Sequence, residues 1–115
     1  MAKEQKKDPK KVPVWNKYTE AEKKALYKLN EGYKSFLSQC KTERESVVEA
    51  VKQAEKAGYK NLDDIIKSGK KLSAGDKVYA VCMGKAIAMF NIGTESLEDG
   101  MAILGAHIDT CRLDL

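Results

Sequence analysis

The chain has 115 residues, 43% of them hydrophobic and 33% charged, with a single histidine and three cysteines. This length supports one small domain with a modest core, and no apolar run approaches the roughly 18 residues of a membrane span. One histidine excludes any site built on two within these residues, and three cysteines at 40, 82 and 111 are too few and too far apart for a disulfide framework. A reducing, cytoplasmic setting is the expectation.

Residues 1–17 hold six lysines against Glu4 and Asp8, which accounts for the whole formal net charge of +4. The first eleven residues are basic, but no apolar stretch of the signal-peptide kind follows them. Pro9 and Pro13 oppose helix, so residues 1–14 read as a disordered basic tail. A basic arm can bind nucleic acid. Here no basic stripe continues into the body and only two arginines occur in the chain, so a solvated tail is expected and nucleic acid is not an expected partner.

Trp15 and Tyr18 are placed to anchor the end of the tail. Thr19 with Glu22 three residues on forms a capping-box pattern. Leu26, Leu29, Tyr33, Phe36, Leu37 and Cys40 then recur at three- and four-residue spacing, which predicts a helix running to about Cys40 with one core-facing stripe. Thr42 and Glu45 repeat the cap. Val47, Ala50, Val51, Ala54 and Ala57 form the next stripe, and Gly58 is its natural stop. Asn61 caps a short third helix through Leu62, Ile65 and Ile66, which ends at Ser68-Gly69.

After Gly69 the pattern changes. Ser73–Asp76 is a turn cluster. Val78–Met83 and Ala86–Phe90 are short apolar runs on either side of Gly84-Lys85, which predicts a hairpin with a type II′ turn. Both runs are apolar on both faces, so the sheet should be covered on both sides. A turn over Gly93–Gly100, with one helical turn at Ser96–Asp99, leads into a third expected strand, Met101–Ala106. The chain stops at Arg112-Leu113-Asp114-Leu115 with its alternation still running, which reads as a truncation inside a fresh strand. The fold class is α/β: N-terminal helices followed by the first strands of a larger domain.

The chemically informative segment is LGAHIDTCRLDL, residues 104–115. An apolar strand would end in a small residue and present His107 and Asp109 on one side, because residues i and i+2 of a strand share a face. His107 can offer one ring nitrogen to a metal while Asp109 accepts from the other or fixes a neighbouring group. On these residues alone a structural, strand-end histidine is the commoner role. A cysteine-containing metal site with Cys111 and Cys82 is weaker still, since no C-x-x-C pair exists, and nothing marks a Cys–His nucleophilic pair.

The segment Ala106-His107-Ile108-Asp109-Thr110-Cys111 followed by Arg112-Leu113-Asp114-Leu115 resembles the first metal-ligand motif of the aspartyl-aminopeptidase / aminopeptidase I family of zinc metallopeptidases. In that family a strand ends in a pattern close to S/A-H-I/T-D-S-P, with R-L-D-L-K following in the bacterial branch. Gly75–Tyr79, Gly84–Ala88 and the Tyr33-Lys34-Ser35-Phe36-Leu37 segment are also similar to that branch, so the resemblance runs from about Trp15 onward. Cys111 stands where proline is usual, Thr110 replaces serine, and Cys82-Met83 is less polar than the pattern before Gly84.

The resemblance implies that residues 15–115 are the N-terminal, incomplete part of a zinc-peptidase catalytic domain. It makes His107 a zinc ligand and Asp109 the catalytic aspartate that orients the site. The further carboxylates, the late histidine and the glutamate general base would lie beyond Leu115. It further implies a cytoplasmic homo-oligomeric enzyme that removes N-terminal residues from peptides, with no nucleic-acid or membrane partner. The contrasting reading is a small non-enzymatic helical interaction module with a basic N-terminal arm.

Overall fold

The structure is a computed structural model and describes residues 12–109. The chain divides into two compact units, Met1–Ser35 and Phe36–Leu115. The expected disorder of the tail concerns residues of which 1–11 lie outside the described range.

In the first unit, Val14–Lys17 forms a 3-10 turn. Trp15 sits edge-on to Tyr18 and to Tyr27, with ring centroids 6.2 and 6.3 Å apart. Edge-to-face packing of this kind adds to simple area burial, and it fixes the chain's entry into helix α1, Glu20–Gln39. The α1 N-terminus is closed by the expected reciprocal cap. The Thr19 amide donates to the Glu22 carboxylate at 2.7 Å, and the Glu22 amide donates to Thr19 Oγ1 at 3.3 Å. These bonds hold the Glu22 carboxyl below its ordinary value, the Thr19 backbone bond most of all.

The stripe on α1 corrects an expectation. No residue of α1 is buried, and Leu29 and Tyr33 are 76% and 58% exposed. Periodicity reports a face that can be covered; it does not report that the covering element lies within the same stretch of chain.

Helix α2, Glu43–Lys56, opens the second unit's α/β core and is capped at both ends. Glu45 donates its amide to Thr42 Oγ1 and accepts the Thr42 amide at 3.0 Å. At the other end the Gly58 amide reaches the Glu55 carbonyl and the Tyr59 amide the Ala54 carbonyl. That pair of bonds is a Schellman closure, which requires a left-handed residue, and Gly58 supplies it with φ of +89°. Val47 and Ala54 of the stripe are buried, Ala50 and Val51 half-buried.

Strand β1, Lys60–Asn61, pairs parallel to β2, with Lys60 opposite Val78 and Asn61 opposite Tyr79. Helix α3, Leu62–Lys67, makes the crossover between them; Asn61 caps it by accepting the Asp63 amide at 2.9 Å. Strands β2, Lys77–Cys82, and β3, Ala86–Asn91, form an antiparallel hairpin, and the sheet order is β1-β2-β3. Helices followed by a small mixed sheet give the α/β class, as expected.

The hairpin turn differs from expectation. It centres on Met83-Gly84, both with positive φ (51° and 67°), and is closed by the Lys85 amide on the Cys82 carbonyl at 3.0 Å. Two positive φ values mark a type I′ turn, whose twist suits a hairpin, rather than type II′ at Gly84-Lys85. Arg44 of α2 donates to the Met83 carbonyl at 3.1 Å and so ties the turn to the helix.

The core is Cys40, Val47, Ala54, Val78 and Tyr79. Val78 and Tyr79 are adjacent in β2 and point to opposite faces, yet both are buried. The sheet is therefore covered on both sides there. Elsewhere it is not: Val81, farther along β2, is 39% exposed, and Phe90, beside Val78 on β3, is 47% exposed. After β3, Ser96 caps a 3-10 turn at Leu97–Asp99, as anticipated.

Met101–Ala106 is not a strand; residues 101–109 have no regular secondary structure and no ladder pairing. Apolar composition favours a strand, but a strand exists only where a neighbour takes its N–H and C=O groups, and among the described residues none does. The sheet's third strand is instead the two-residue β1.

Candidate metal centre

His107 lies near the end of this irregular segment, and Asp109 follows two residues later. Their side chains are 80% and 79% exposed. They meet through contacts between residues two apart in a segment without regular secondary structure, not on the face of the expected strand. His107 Nδ1 lies 2.8 Å from the Asp109 main-chain oxygen and 3.3 Å from its carboxylate Oδ1. Both neighbours of Nδ1 are acceptors only. Nδ1 must therefore carry the proton, and in the neutral ring the lone pair is then on Nε2. An imidazole held through one nitrogen with the other directed away is the arrangement a metal-binding histidine needs.

Other candidates are less suited. The Cys40 thiol is buried and donates to the Glu45 carbonyl at 3.7 Å. Burial pushes its pKa up, and the negative charges of Glu49 and Glu45 push in the same direction. It is a protonated core residue, neither nucleophile nor ready ligand. Cys82 is exposed and free, and Cys111 lies outside the described residues. A cleft of about 300 Å³ is lined by Ile65, Leu72, Val78, Lys60 and Lys70 among others, and a second of about 270 Å³ by Cys40, Arg44 and Val48; neither includes residues 101–109.

A catalytic zinc takes about three protein ligands plus water. Among the described residues there is no group of three His, Cys, Asp or Glu side chains placed to hold a metal ion. The donor set fits one imidazole ligand with an oriented ring; it does not complete a zinc site. Two long-range contacts were not legible from motifs: Arg44 to the hairpin turn, and Tyr79 Oη donating to Glu55 Oε1 at 2.7 Å. No spacing rule connects residues 39 and 24 positions apart.

Comparison with known proteins identifies the family. The family profile described as aminopeptidase I zinc metalloprotease (M18) matches residues 36–115, which include His107 and Asp109. The chain is 52% identical over 102 residues to "Probable M18 family aminopeptidase 1" of Clostridium acetobutylicum, covering 89% of this chain and 22% of that protein. A protein of the same name from Thermotoga maritima is 37% identical over 105 residues, 88% of this chain and 21% of its own length. Among solved structures, aminopeptidase I from Borrelia burgdorferi B31 superposes with a TM-score of 0.67 at 38% identity, over 76% of this chain and 20% of that one. The chain thus spans about a fifth of the length of the relatives it matches. No helix among the described residues is long and apolar enough to cross a membrane. On the extent of the profile match, the chain belongs to the M18 aminopeptidase I family of zinc metalloproteases.

Proposed function

We propose that this chain is the N-terminal portion of a zinc-dependent aminopeptidase that removes N-terminal residues from peptides. The observation that carries the reading is the His107–Asp109 pair within the family-matched residues, with Nδ1 satisfied by oxygen acceptors and Nε2 left to bind. His107 Nε2 is one zinc ligand. Asp109 holds its place beside the ring and orients the site. The remaining ligands and the general base come from outside residues 12–109. When bound, zinc polarises the scissile carbonyl and activates water. This chain's own part is to present one imidazole in a fixed tautomer and to set a carboxylate next to it.

The enzyme works in the cytoplasm and as a homo-oligomer. The exposed Leu29 and Tyr33 on α1 support association, since an apolar stripe of this kind is stabilised by being covered. The native mass of the full-length protein tests this.

The central experiment is His107→Ala in the full-length protein, with metal content measured by mass spectrometry beside peptide hydrolysis. Both bound zinc and turnover should collapse. Full zinc occupancy with normal turnover would end the assignment.

A further inference from the structure

We infer that the tip of the β2–β3 hairpin docks into the cleft beside helix α2 of a second copy of this chain, and that the second copy's tip docks here in return. This contact presupposes the homo-oligomer proposed above and uses a surface other than α1. The tip carries Met83, whose side chain is 86% exposed and whose backbone holds a φ of +51°. A left-handed backbone is costly for a long side chain and nearly free for glycine. Strain of this kind persists only where the surroundings hold it. Here two residues of α2 hold it: Arg44 donates to the Met83 carbonyl at 3.1 Å, and the Glu43 carboxylate lies 3.8 Å from Lys85 Nζ. The tip is thus fixed in place while a flexible thioether stands in water. Such a side chain adapts to irregular apolar recesses.

A recess of that kind lies next to it. The cleft of about 270 Å³ is lined by Cys40, Arg44, Val48 and Lys52 among others, and Val48 is 56% exposed. Met83 is not among the lining residues, so the tip does not fill the cleft of its own chain. Arg44 belongs to both features: it walls the cleft and clamps the tip. Knob and hole are therefore neighbours on one patch. A two-fold contact requires this, because residue i of one copy meets residue j of the other and j meets i. The charges select the occupant. The patch carries Glu43, Glu45 and Glu49 with Arg44, Lys52 and Lys85, three charges of each sign. A strongly acidic or basic partner finds no net charge to recognise there. A second copy brings the same balanced set and meets no net repulsion.

The test is the native mass of the full-length protein by analytical ultracentrifugation over a range of concentrations. Met83→Glu sets a carboxylate against Glu45 and Glu49 of the second copy, and this like-charge contact should weaken association roughly tenfold or more. Met83→Leu keeps an apolar knob and should associate as the wild type does. Val48→Glu places the same charge on the cleft side, at an exposed helix position, and should weaken association alike. Adding Val48→Lys to Met83→Glu should restore association to within about threefold of wild type, because a cation then meets the new carboxylate across the contact. An unchanged mass in Met83→Glu, or no recovery in the folded double variant, would overturn the docking. If circular dichroism shows that Met83→Glu does not fold, Val48→Glu decides alone, and an unchanged mass there overturns the docking. A wild type that stays monomeric overturns the docking and the homo-oligomer together. An oligomeric wild type whose mass none of the variants moves overturns the docking alone.

Discussion

Replacing Tyr79 by phenylalanine deletes one oxygen from a residue that is 3% exposed and joins β2 to α2. The lost bond is a hydroxyl donating to the Glu55 carboxylate at 2.7 Å. Hydrogen bonds to charged groups contribute roughly 1.5–3 kcal/mol net. Glu55 is exposed, so its carboxylate recovers water in the variant, and the loss should fall at the lower end, about 1.5 kcal/mol, or roughly tenfold in the opening equilibrium. Glu55→Ala removes the charged partner of a buried tyrosine hydroxyl and leaves it Asn61 alone. The Glu55 bond raises the Tyr79 pKa above its ordinary 10.0, assisted by burial. The folded state therefore holds this proton more tightly than the unfolded chain. The stabilisation is fully present below the unfolded value and is lost as pH rises through the folded one. Amide exchange of α2 and β2 in the full-length protein, across wild type, Tyr79→Phe, Glu55→Ala and the double variant, measures the coupling. A coupling energy of roughly 1 kcal/mol is expected for groups in direct contact, together with a shallower alkaline loss of protection in Tyr79→Phe. Coupling below about 0.3 kcal/mol would refute the reasoning, since distant, independent sites already add to within that amount.

Thr42→Ala should destabilise α2 by about 1 kcal/mol through loss of its cap, read as faster exchange at the Glu45 amide; an unchanged rate there would show that the cap is not limiting. Met83→Asn should stabilise the hairpin by up to about 1 kcal/mol, since asparagine tolerates the left-handed conformation better than methionine; a lower unfolding midpoint would contradict this. Deleting residues 1–14 should leave the melting temperature nearly unchanged, because Val12 and Val14 are 51% and 64% exposed; a loss of several degrees would show that the arm packs. In the 115-residue chain, amides at Val78–Val81 should be protected and those at 101–106 should exchange freely; protection of the latter would restore the strand first expected there.

The features that were legible in the sequence are those closed within a few residues. Thr19 with Glu22, Thr42 with Glu45, Asn61 and Gly58 each satisfy helix ends locally, so spacing alone identifies them. The hairpin was legible for the same reason, and only its turn centre moved by one residue to Met83-Gly84. β1 was not legible: two residues become a strand only because β2 lies beside them. Met101–Ala106 is the opposite case, a strand-like composition without a ladder partner. At the candidate site the residues were readable, but the strand-face argument that joined His107 to Asp109 was not the geometry found. The ring nitrogen meets the main-chain oxygen of Asp109 in an irregular segment, and no side-chain periodicity encodes that.

Gly84 and Arg44 occupy one small volume. A Cβ built on Gly84 would stand 3.2 Å from Arg44 Nη1, the same guanidinium nitrogen that holds the Met83 carbonyl. A side chain at 84 requires that guanidinium to give by a few tenths of an ångström, besides adopting a left-handed φ of +67°. A long cation at 44 and a bare backbone at 84 are therefore one solution to one steric problem, although 40 positions separate them. Homologous chains that acquire a side chain at 84 should have shortened residue 44 or shifted the hairpin tip. The two sites are expected to drift as a pair, and a swap made at one alone should be rescued by a smaller residue at the other.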